Sequence, residues 1–249
     1  MENPYSLQGK TILVTGASSG IGRAIAIACS KMGAYLIITG RNENRLKETF
    51  SMLDGDNHCL LIADLTNEAD RMQLINAIPL LDGIVQNAGI GNRILCKDLI
   101  EDDYNKVFDT NLKAPMLLQS LLLSKKKITK GASIVFIASR AASSPSIGNA
   151  IYSASKGAII SYAKCLALES APRKIRVNCI CPGMIMTDFI AKSGLDEEVM
   201  NDIGNKYPLK RYGKPEDVAN LAVYLLSDAS EWMTGSCIDI SGGGEGILI

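Results

Sequence analysis

The stretch that decides the fold runs Lys10-Thr-Ile-Leu-Val-Thr15-Gly16-Ala-Ser-Ser-Gly20-Ile-Gly22-Arg-Ala-Ile-Ala-Ile-Ala-Cys-Ser-Lys-Met32. It opens with a β-branched run at 11–14, which is typical of a strand. From Gly20 onward apolar residues repeat at the spacing of one helix face, which predicts a helix. Gly16, Gly20 and Gly22 lack a Cβ, so the backbone can turn tightly and approach a pyrophosphate at the helix N-terminus. Although the spacing is Gly-x3-Gly-x-Gly and not the commoner Gly-x-Gly-x-x-Gly, strand, turn and helix together predict dinucleotide binding.

Short apolar strands alternate with longer helical patterns along the rest of the chain. The predicted strands are 11–14, 35–39, 59–62, 83–86, 133–138, 176–180 and 237–240. This alternation indicates βαβ units and a parallel sheet covered by helices on both faces. Because 249 residues suit one α/β domain, we expect a single doubly wound Rossmann-type domain over 1–249. It should have about seven strands, with the cofactor at their carboxyl ends. Another helix is expected from Pro215 to about Ser227.

Composition excludes several classes of protein. Apolar residues make up 47% of the chain, which is enough for a large core, yet no eighteen-residue apolar stretch is present. The first residues, Met-Glu-Asn-Pro-Tyr-Ser, lack the features of a signal peptide. We therefore expect a soluble, cytoplasmic protein. Basic and acidic residues are equal at 26 each, so the global charge favours neither a nucleic acid nor a membrane partner.

The cysteines and the histidine do not form a metal-binding pattern. The seven cysteines have no Cys-x-x-Cys spacing, and we interpret them as reduced, buried thiols. Cys179 and Cys181 are poor candidates for a shared metal. The only histidine, His58, has no acidic or cysteine cluster beside it and is interpreted as structural, because metal sites need several convergent ligands.

A second short pattern indicates proton transfer. Tyr152 and Lys156 stand four residues apart in Ala150-Ile-Tyr-Ser-Ala-Ser-Lys-Gly157. On a helix this spacing places both side chains on one face, about 6 Å apart along the axis. A nearby cation favours a phenolate and lowers the pKa of a tyrosine. The pair could equally lie on an ordinary exposed helix face, so the spacing alone is weak evidence.

Taken together, the motifs resemble the short-chain dehydrogenase/reductase family, in its order and spacing over nearly the whole chain. The motifs that carry the resemblance are the glycine turn, Asn87-Ala88-Gly89, Asn111, Ser139, Tyr152, Lys156 and Pro182-Gly183. The resemblance implies that Tyr152 is the general acid in reduction and the base in oxidation. It also implies that Ser139 polarises the carbonyl. Lys156 would hold the nicotinamide ribose, and Asn111 would position a water that relays protons.

The resemblance also assigns the cofactor-binding residues. These are expected to be Thr15, Gly16, Ser18, Ser19, Gly20, Ile21, Gly22, Arg41, Asp64, Leu65, Asn87, Ala88, Gly89, Tyr152, Lys156, Pro182, Gly183, Ile185 and Thr187. NAD-preferring relatives place an acidic residue at the end of the second strand, where this chain has Arg41. A guanidinium suits a 2′-phosphate, so NADPH is favoured over NADH. Arg23 and Arg45 are weaker candidates and are interpreted as solvated surface charges.

Within the family the chain looks most like 3-oxoacyl-acyl-carrier-protein reductases, partly through the stretch at 208–218. The predicted activity is reduction of a 3-oxoacyl thioester in fatty acid biosynthesis. An acidic carrier protein needs a basic patch, for which Lys130 and Arg173 are candidates, although both could simply confer solubility. The segment at about 184–214 is rich in methionine and other apolar residues. It could be a substrate lid or ordinary helix packing.

Several alternatives stay open. Arg140 follows Ser139 where a small residue is common, and it could line the substrate pocket or lie on the surface. Ser241 replaces the aspartate usual before the glycine pair at 242–243. The rival enzyme is a dehydrogenase of a sugar, polyol or steroid alcohol, and a rival from another class is a non-catalytic NADPH sensor or scaffold. The resemblance further implies a homotetramer assembled through helices at 101–126 and 150–170.

Overall fold

The protein is built on one parallel sheet. The computed structural model describes residues 3–187 and 197–244. Its strands are β1 Thr11–Thr15, β2 Tyr35–Gly40, β3 Cys59–Ile62, β4 Leu81–Gln86, β5 Ile128–Ile137, β6 Arg176–Pro182 and β7 Cys237–Ile240. All neighbouring strands are parallel, and their order is β3-β2-β1-β4-β5-β6-β7. The expected Rossmann-type α/β architecture with seven strands is therefore confirmed.

Helices cover both faces of the sheet. The α-helices are α1 Gly20–Lys31, α2 Glu43–Ser51, α3 Glu68–Ala77, α4 Glu101–Phe108, α5 Ala114–Ser124, α6 Ala150–Ser170, α7 Glu197–Lys206 and α8 Pro215–Leu226. Side chains of α3, α5 and α6 pack on one face and include Leu74, Leu118 and Ile159. Side chains of α1, α2 and α8 pack on the other, including Ile25 and Leu46. Since the strands are buried on both sides, they read as continuous apolar runs.

The strand predictions hold with one clear difference. β5 begins at Ile128, whereas the sequence pattern started it at 133. The added residues include a half-exposed polar portion and Gly131 at φ +83°, and the pairing with β4 shifts register between Leu81 and Gly83. Such an irregular strand start lacks the apolar run that a sequence pattern detects. The helix expected from Pro215 ends at Leu226, with Ser227 as its C-cap.

The structure also tests the predictions made for the cysteines and for His58. Cys29, Cys179 and Cys181 are buried, but Cys96, Cys165 and Cys237 are exposed, so the expectation of uniformly buried thiols was wrong. His58 accepts a hydrogen bond from the Leu36 amide at Nδ1 and contacts the Asp54 carbonyl oxygen through Nε2, which makes it a structural bridge. Among the described residues, no metal-ligating cluster is found. In the same part of the chain, no helix is long and apolar enough to cross a membrane.

Candidate active site

The residues singled out from the sequence meet at the carboxyl ends of the strands. The glycine turn follows β1, Arg41 follows β2, Asp64 follows β3 and Asn87 follows β4. Ser139 follows β5, and Pro182 ends β6. β2 and β3 lie on one side of β1, and β4 lies on the other, so the chain reverses its direction of winding at this point. Crevices at such switch points, outside the carboxyl ends of the strands, are where open α/β sheets bind ligands.

Gly16 and Gly22 in the glycine turn are packed too closely to carry a side chain. Gly16 has φ +64°, and a Cβ there would lie 2.8 Å from Ala88 Cα. A Cβ on Gly22 would lie 2.3 Å from the Gly16 carbonyl oxygen and 2.4 Å from Asn87 Nδ2. The glycines therefore let β1, α1 and the end of β4 approach one another directly.

Thr15 and Asn87 hold the two sides of the switch point together. The Thr15 hydroxyl donates to the Val85 carbonyl (3.3 Å) and accepts from the Asn87 and Ala88 amides at 3.0 and 3.1 Å. The Asn87 side-chain amide donates to the Thr15 and Gly16 carbonyl oxygens at 3.0 and 3.1 Å. The backbone after β4 is thus fixed against the glycine turn.

The start of α1 is suited to an anion. Ser19 occupies the N-cap position in extended geometry, and its side chain makes no capping hydrogen bond to the helix among the described residues. The first amides of α1 therefore have no side-chain partner at the cap and can face a phosphate, which the positive end of the helix also favours. A Cβ on Gly20 would lie 3.2 Å from Thr187 Cγ2, so the segment after β6 closes over this turn. These residues fit the pyrophosphate of a dinucleotide.

Arg41 and Asp64 lie together beyond the ends of β2 and β3. Their closest atoms, Arg41 Nη1 and Asp64 Oδ2, are 3.8 Å apart, and the Arg41 side chain is 61% exposed. Burial raises the pKa of Asp64, but hydrogen bonds from Thr66 and the charge of Arg41 outweigh it and leave that pKa below its usual value. Arg23, by contrast, is tied down. Its guanidinium donates to Thr49, the Ser18 carbonyl and Glu48, so the interpretation of Arg23 as a solvated charge was wrong.

Ser139 and Tyr152 form the reactive end of the crevice. Ser139 caps a short 3-10 turn, 140–142, and its hydroxyl accepts from the Ala141 amide at 3.1 Å. Burial raises the pKa of Tyr152, and a hydrogen bond with the Ser139 side chain opposes part of that rise. The two hydroxyls therefore lie within reach of one shared ligand atom.

Lys156 lies one helical turn from Tyr152, as the spacing predicted, but does not lower the pKa of that phenol in this structure. Its Nζ lies 5.8 Å from the centre of the Tyr152 ring and donates to the Ile137 carbonyl at 2.8 Å. Burial lowers the pKa of Lys156 itself to about 8, while the nearby Cys179 and Cys181 act weakly in the opposite sense. The expected tuning of Tyr152 by the cation is thus replaced by a buried amine that is close to titration near neutral pH.

Asn111 lies in a π-helical turn, 109–113, between α4 and α5. Its side chain accepts from the Ile90 amide at 2.8 Å, and donates to the Ile90 carbonyl at 2.9 Å and to the Ser155 hydroxyl at 3.1 Å. Gly89 lies against the same group, since a Cβ there would be 3.2 Å from Asn111 Oδ1 and 3.3 Å from Lys156 Nζ. Asn111 therefore joins the floor of the crevice to α6.

The structure answers where Arg140 points. Its Nη1 donates to Asp239 Oδ2 on β7 at 2.6 Å, and the side chain is 16% exposed. The guanidinium is thus directed to the edge strand and neither of the two expected positions describes it. Asp239 escaped the sequence reasoning because it lies 99 residues from Arg140, and no local pattern marks such a pair.

The segment after β6 is positioned by a small parallel bridge. Ile185 pairs with Gly213, the Met186 amide donates to the Gly213 carbonyl at 2.8 Å, and the Gly213 amide donates to the Met184 carbonyl at 3.0 Å. The same segment ends at Thr187, which lies against Gly20 of the glycine turn. The proposed lid at about 184–214 includes Phe189, Ile190 and Leu195, which lie outside the described residues.

Lys130 and Arg173 lie at the opposite, amino ends of the strands. Lys130 is exposed near the start of β5, and Arg173, just before β6, donates to the Ile128 carbonyl at 2.5 Å. Ser139 lies beyond the far end of β5, and at about 3.3 Å per residue a strand of this length separates them by well over 20 Å. Within one chain, these basic residues do not lie beside the candidate active site.

Known proteins resemble this chain over almost its full length. The family described as "Enoyl-(Acyl carrier protein) reductase" matches residues 16–245. The "3-oxoacyl-[acyl-carrier-protein] reductase FabG" of Rickettsia felis is 41% identical over 237 residues, which cover 95% of this chain and 97% of that protein. Human "Dehydrogenase/reductase SDR family member 4" is 33% identical, with 95% of this chain and 88% of that protein covered.

Solved structures agree with the sequence comparisons. A "short chain dehydrogenase/reductase family protein" superimposes with a TM-score of 0.86 at 30% identity, covering 97% of this chain and all of that one (100%). A double mutant of a short-chain dehydrogenase/reductase from Serratia marcescens gives a TM-score of 0.88 at 27% identity, with 98% and 100% of the two chains covered.

Proposed function

This chain belongs to the short-chain dehydrogenase/reductase family of NAD(P)-dependent oxidoreductases, and from that premise we propose that it reduces a carbonyl to an alcohol with NADPH. The single observation that carries the proposal is the group formed by Ser139, Tyr152 and Lys156. Their side chains come from the turn after β5 and from α6, and they converge at the carboxyl ends of the strands. The intact group argues against a purely sensing or scaffolding role.

The side chains would divide the work around one oxygen atom. Ser139 donates a hydrogen bond to the carbonyl oxygen of the substrate, which withdraws electron density from the carbon. Tyr152 delivers its proton to the same oxygen as negative charge develops there. Lys156 is held by its hydrogen bond to the Ile137 carbonyl, and its amine would hold the nicotinamide ribose of a bound cofactor. Asn111 keeps the Ile90 backbone and Ser155 in place behind this amine.

A bound nicotinamide dinucleotide supplies the hydride, which is the chemistry the protein itself lacks. The residues that would hold it are the turn Gly16–Gly22, the floor Asn87–Gly89 and the segment Pro182–Thr187. Close packing of Gly16 and Gly22 against the end of β4 supports this assignment, because a side chain there would fill the space that the backbone needs. Asp64 and Leu65 would border the adenine.

The preference for NADPH rests on Arg41. It stands at the end of β2, is largely exposed and has only a loose contact with Asp64, so its guanidinium is available for a 2′-phosphate. Comparison of Arg41→Ala with Arg45→Ala tests this assignment. Loss of a charge-assisted hydrogen bond should weaken NADPH binding about tenfold or more in the first variant only, and should leave NADH binding unchanged.

The substrate that we propose is a 3-oxoacyl thioester carried by an acyl carrier protein. The support is the 41% identity to a protein named for that activity. Because Lys130 and Arg173 lie far from Ser139 within one chain, a carrier protein bound to them would have to serve the active site of a neighbouring subunit. We therefore also propose the homotetramer, which would supply such neighbours.

The test is the loss of NADPH absorbance with acetoacetyl thioesters of carrier protein and of coenzyme A, run beside sugars and steroid ketones. Tyr152→Phe should lower kcat by about 10²- to 10⁴-fold because the proton donor is gone. Its NADPH affinity should stay within about threefold of wild type. Tyr162→Phe, which removes the same oxygen from the same helix, is the matched control and should keep full activity.

Each outcome has a distinct meaning. Preference for the carrier-linked thioester supports the full proposal. Turnover of only a sugar or steroid keeps the reductase mechanism and excludes the thioester. Tight NADPH binding without turnover of any carbonyl favours the sensor, and undiminished turnover by Tyr152→Phe removes tyrosine from its role as the acid.

A further inference from the structure

We propose that Arg140 is a positioning residue for catalysis, which holds Ser139 in place by pairing across the sheet with Asp239. This inference rests on the proposed reductase function, because it assigns to Ser139 the hydrogen bond to the substrate oxygen. It adds a residue pair, Arg140 and Asp239, whose role is to fix the orientation of that serine.

Ser139 needs a contact that fixes its orientation because β5 ends just before it. The Ala138 amide makes the last hydrogen bond of β5 to the sheet, to the Ile180 carbonyl at 2.8 Å. Ser139 therefore lies just past the regular ladder. Its backbone hydrogen-bonds the Cys181 thiol, and sulfur is a weak acceptor. Without another restraint, the serine hydroxyl would be held mainly by its own short turn.

Arg140 supplies the restraint from the next position in the chain. Its backbone carbonyl accepts from the Ser143 and Ser144 amides at 3.0 and 2.8 Å, which closes the turn after Ser139. Its side chain leaves this turn, passes β6 and reaches Asp239 on β7. Cys181 on β6 is the register partner of Asp239, so the side chains of Arg140 and Asp239 together bridge two strand spacings, about 10 Å.

The charges and burial make this contact strong enough to act as an anchor. The Arg140 side chain is 84% removed from solvent, and its partner carboxylate is 44% exposed. A charge-assisted bond at 2.6 Å is in the short range for N–H to carboxylate contacts. Arg140 also donates to the Ser143 hydroxyl at 3.4 Å, so one guanidinium joins the turn to the edge strand.

The consequence for catalysis is geometric. The Ser139 hydroxyl contacts Tyr152, and both must meet the same substrate oxygen in the transition state. If the Ser139 hydroxyl is displaced by a fraction of an ångström, its hydrogen bond to the substrate oxygen is weaker in the transition state. Positioning errors of about 1 Å cost up to about 10²-fold in rate. Loss of the anchor should therefore lower kcat and leave cofactor binding unchanged.

The experiment compares four variants with wild type. Arg140→Met keeps the aliphatic part of the side chain and removes its guanidinium and charge, and Asp239→Asn keeps the shape of the partner. Each should lower kcat by about 10- to 100-fold, with NADPH affinity within about twofold. The double variant should be no slower than the slower single variant, because both remove one interaction. Arg140→Lys should recover most of kcat, since its ammonium can still donate to the Asp239 carboxylate.

Two further measurements separate positioning from general damage. Arg176→Met removes an arginine that anchors the opposite end of β6 to Ser230, and it should leave kcat unchanged even if stability falls. In a Ser139→Ala background, Arg140→Met should cause less than about a twofold further loss, because the serine through which it acts is absent. An equal loss in both backgrounds would show that Arg140 acts by some other route.

Hydrogen exchange of the 139–144 backbone gives a readout that needs no substrate. Arg140→Met should speed exchange of this segment at least about tenfold, while β1 and β4 keep their protection. If wild type reduces no carbonyl but this change is seen, the proposed function fails and the anchoring role stands. If exchange is unchanged, or if kcat is retained while KM for the carbonyl rises, Arg140 does not position Ser139.

Discussion

At the scale of single residues, the burial of Lys156 makes the stability of the fold depend on pH. Its pKa falls to about 8 because the cation is desolvated, whereas an unfolded lysine titrates near 10.4. Between these values the unfolded chain binds more protons than the folded one. Burial of the charged amine therefore destabilises the fold by a constant amount below about pH 8, and this penalty is relieved progressively as the pH rises from about 8 to 10.4. The full effect is about 3 kcal/mol.

The prediction is best measured as a difference between two proteins. Burial raises the pKa of Cys29 to about 12, and this thiol shifts stability in the opposite direction over the same range. The unfolding free energy of wild type minus that of Lys156→Met should nevertheless climb by about 3 kcal/mol across that window in urea titrations. Lys164→Met, on the exposed side of the same helix, should not reproduce the climb. A flat difference for Lys156→Met would show that its amine is not penalised by burial.

At the scale of elements, the π-helical turn at 109–113 is an essential part of the crevice. It turns Asn111 inward, where the side chain is 2% exposed and makes three hydrogen bonds to Ile90 and Ser155. Asn111→Leu keeps the branched shape of the side chain but leaves these buried groups unpaired, which should destabilise the fold by about 2–5 kcal/mol. Urea unfolding measures this loss. Asn105→Leu, exposed on the preceding helix, should change stability by no more than about 0.5 kcal/mol.

If Asn111→Leu unfolds at the same urea concentration as Asn105→Leu, the buried amide has no structural role. The more informative reading is expected from Asn111→Asp. A carboxylate can still accept from the Ile90 amide but cannot donate to the Ile90 carbonyl or to Ser155. It should therefore be less stable than wild type, and its buried carboxylate adds a desolvation cost of its own.

At the scale of the whole molecule, α5 and α6 form an apolar groove on the surface. It is lined by Met116, Leu117, Ser120, Leu123, Ser124, Tyr162, Cys165, Leu166 and Glu169. The proposed tetramer would cover this groove, so Leu117→Glu should shift sedimentation velocity from tetramer to smaller species by placing an unpaired charge in the contact. Leu80→Glu, also on an exposed leucine but outside these helices, should leave the assembly intact. Tetramers that persist in Leu117→Glu would place the interface elsewhere.

Local sequence patterns were sufficient to predict much of the fold and of the candidate site. The alternation of apolar strands and helices predicted the parallel sheet because each strand is buried on both faces and each helix on one. The glycines at 16 and 22 and the four-residue spacing of Tyr152 and Lys156 were visible for the same reason, since turns and helix faces are decided by neighbours in sequence. Whether a segment forms a strand, a turn or a helix depends mainly on residues close to it in sequence.

Other properties depend on which segments the sheet brings together. The sequence by itself determined the fold class, the family and the residues expected at the candidate active site, because these depend on short-range periodicity and motif order. Only the tertiary structure decided that Arg140 pairs with Asp239 and that burial depresses the pKa of Lys156. It also decided that Lys130 and Arg173 lie at the amino ends of the strands, far from Ser139. The physical reason is that charge pairing and desolvation depend on distances between strands that are far apart in the chain, and no local pattern records those distances.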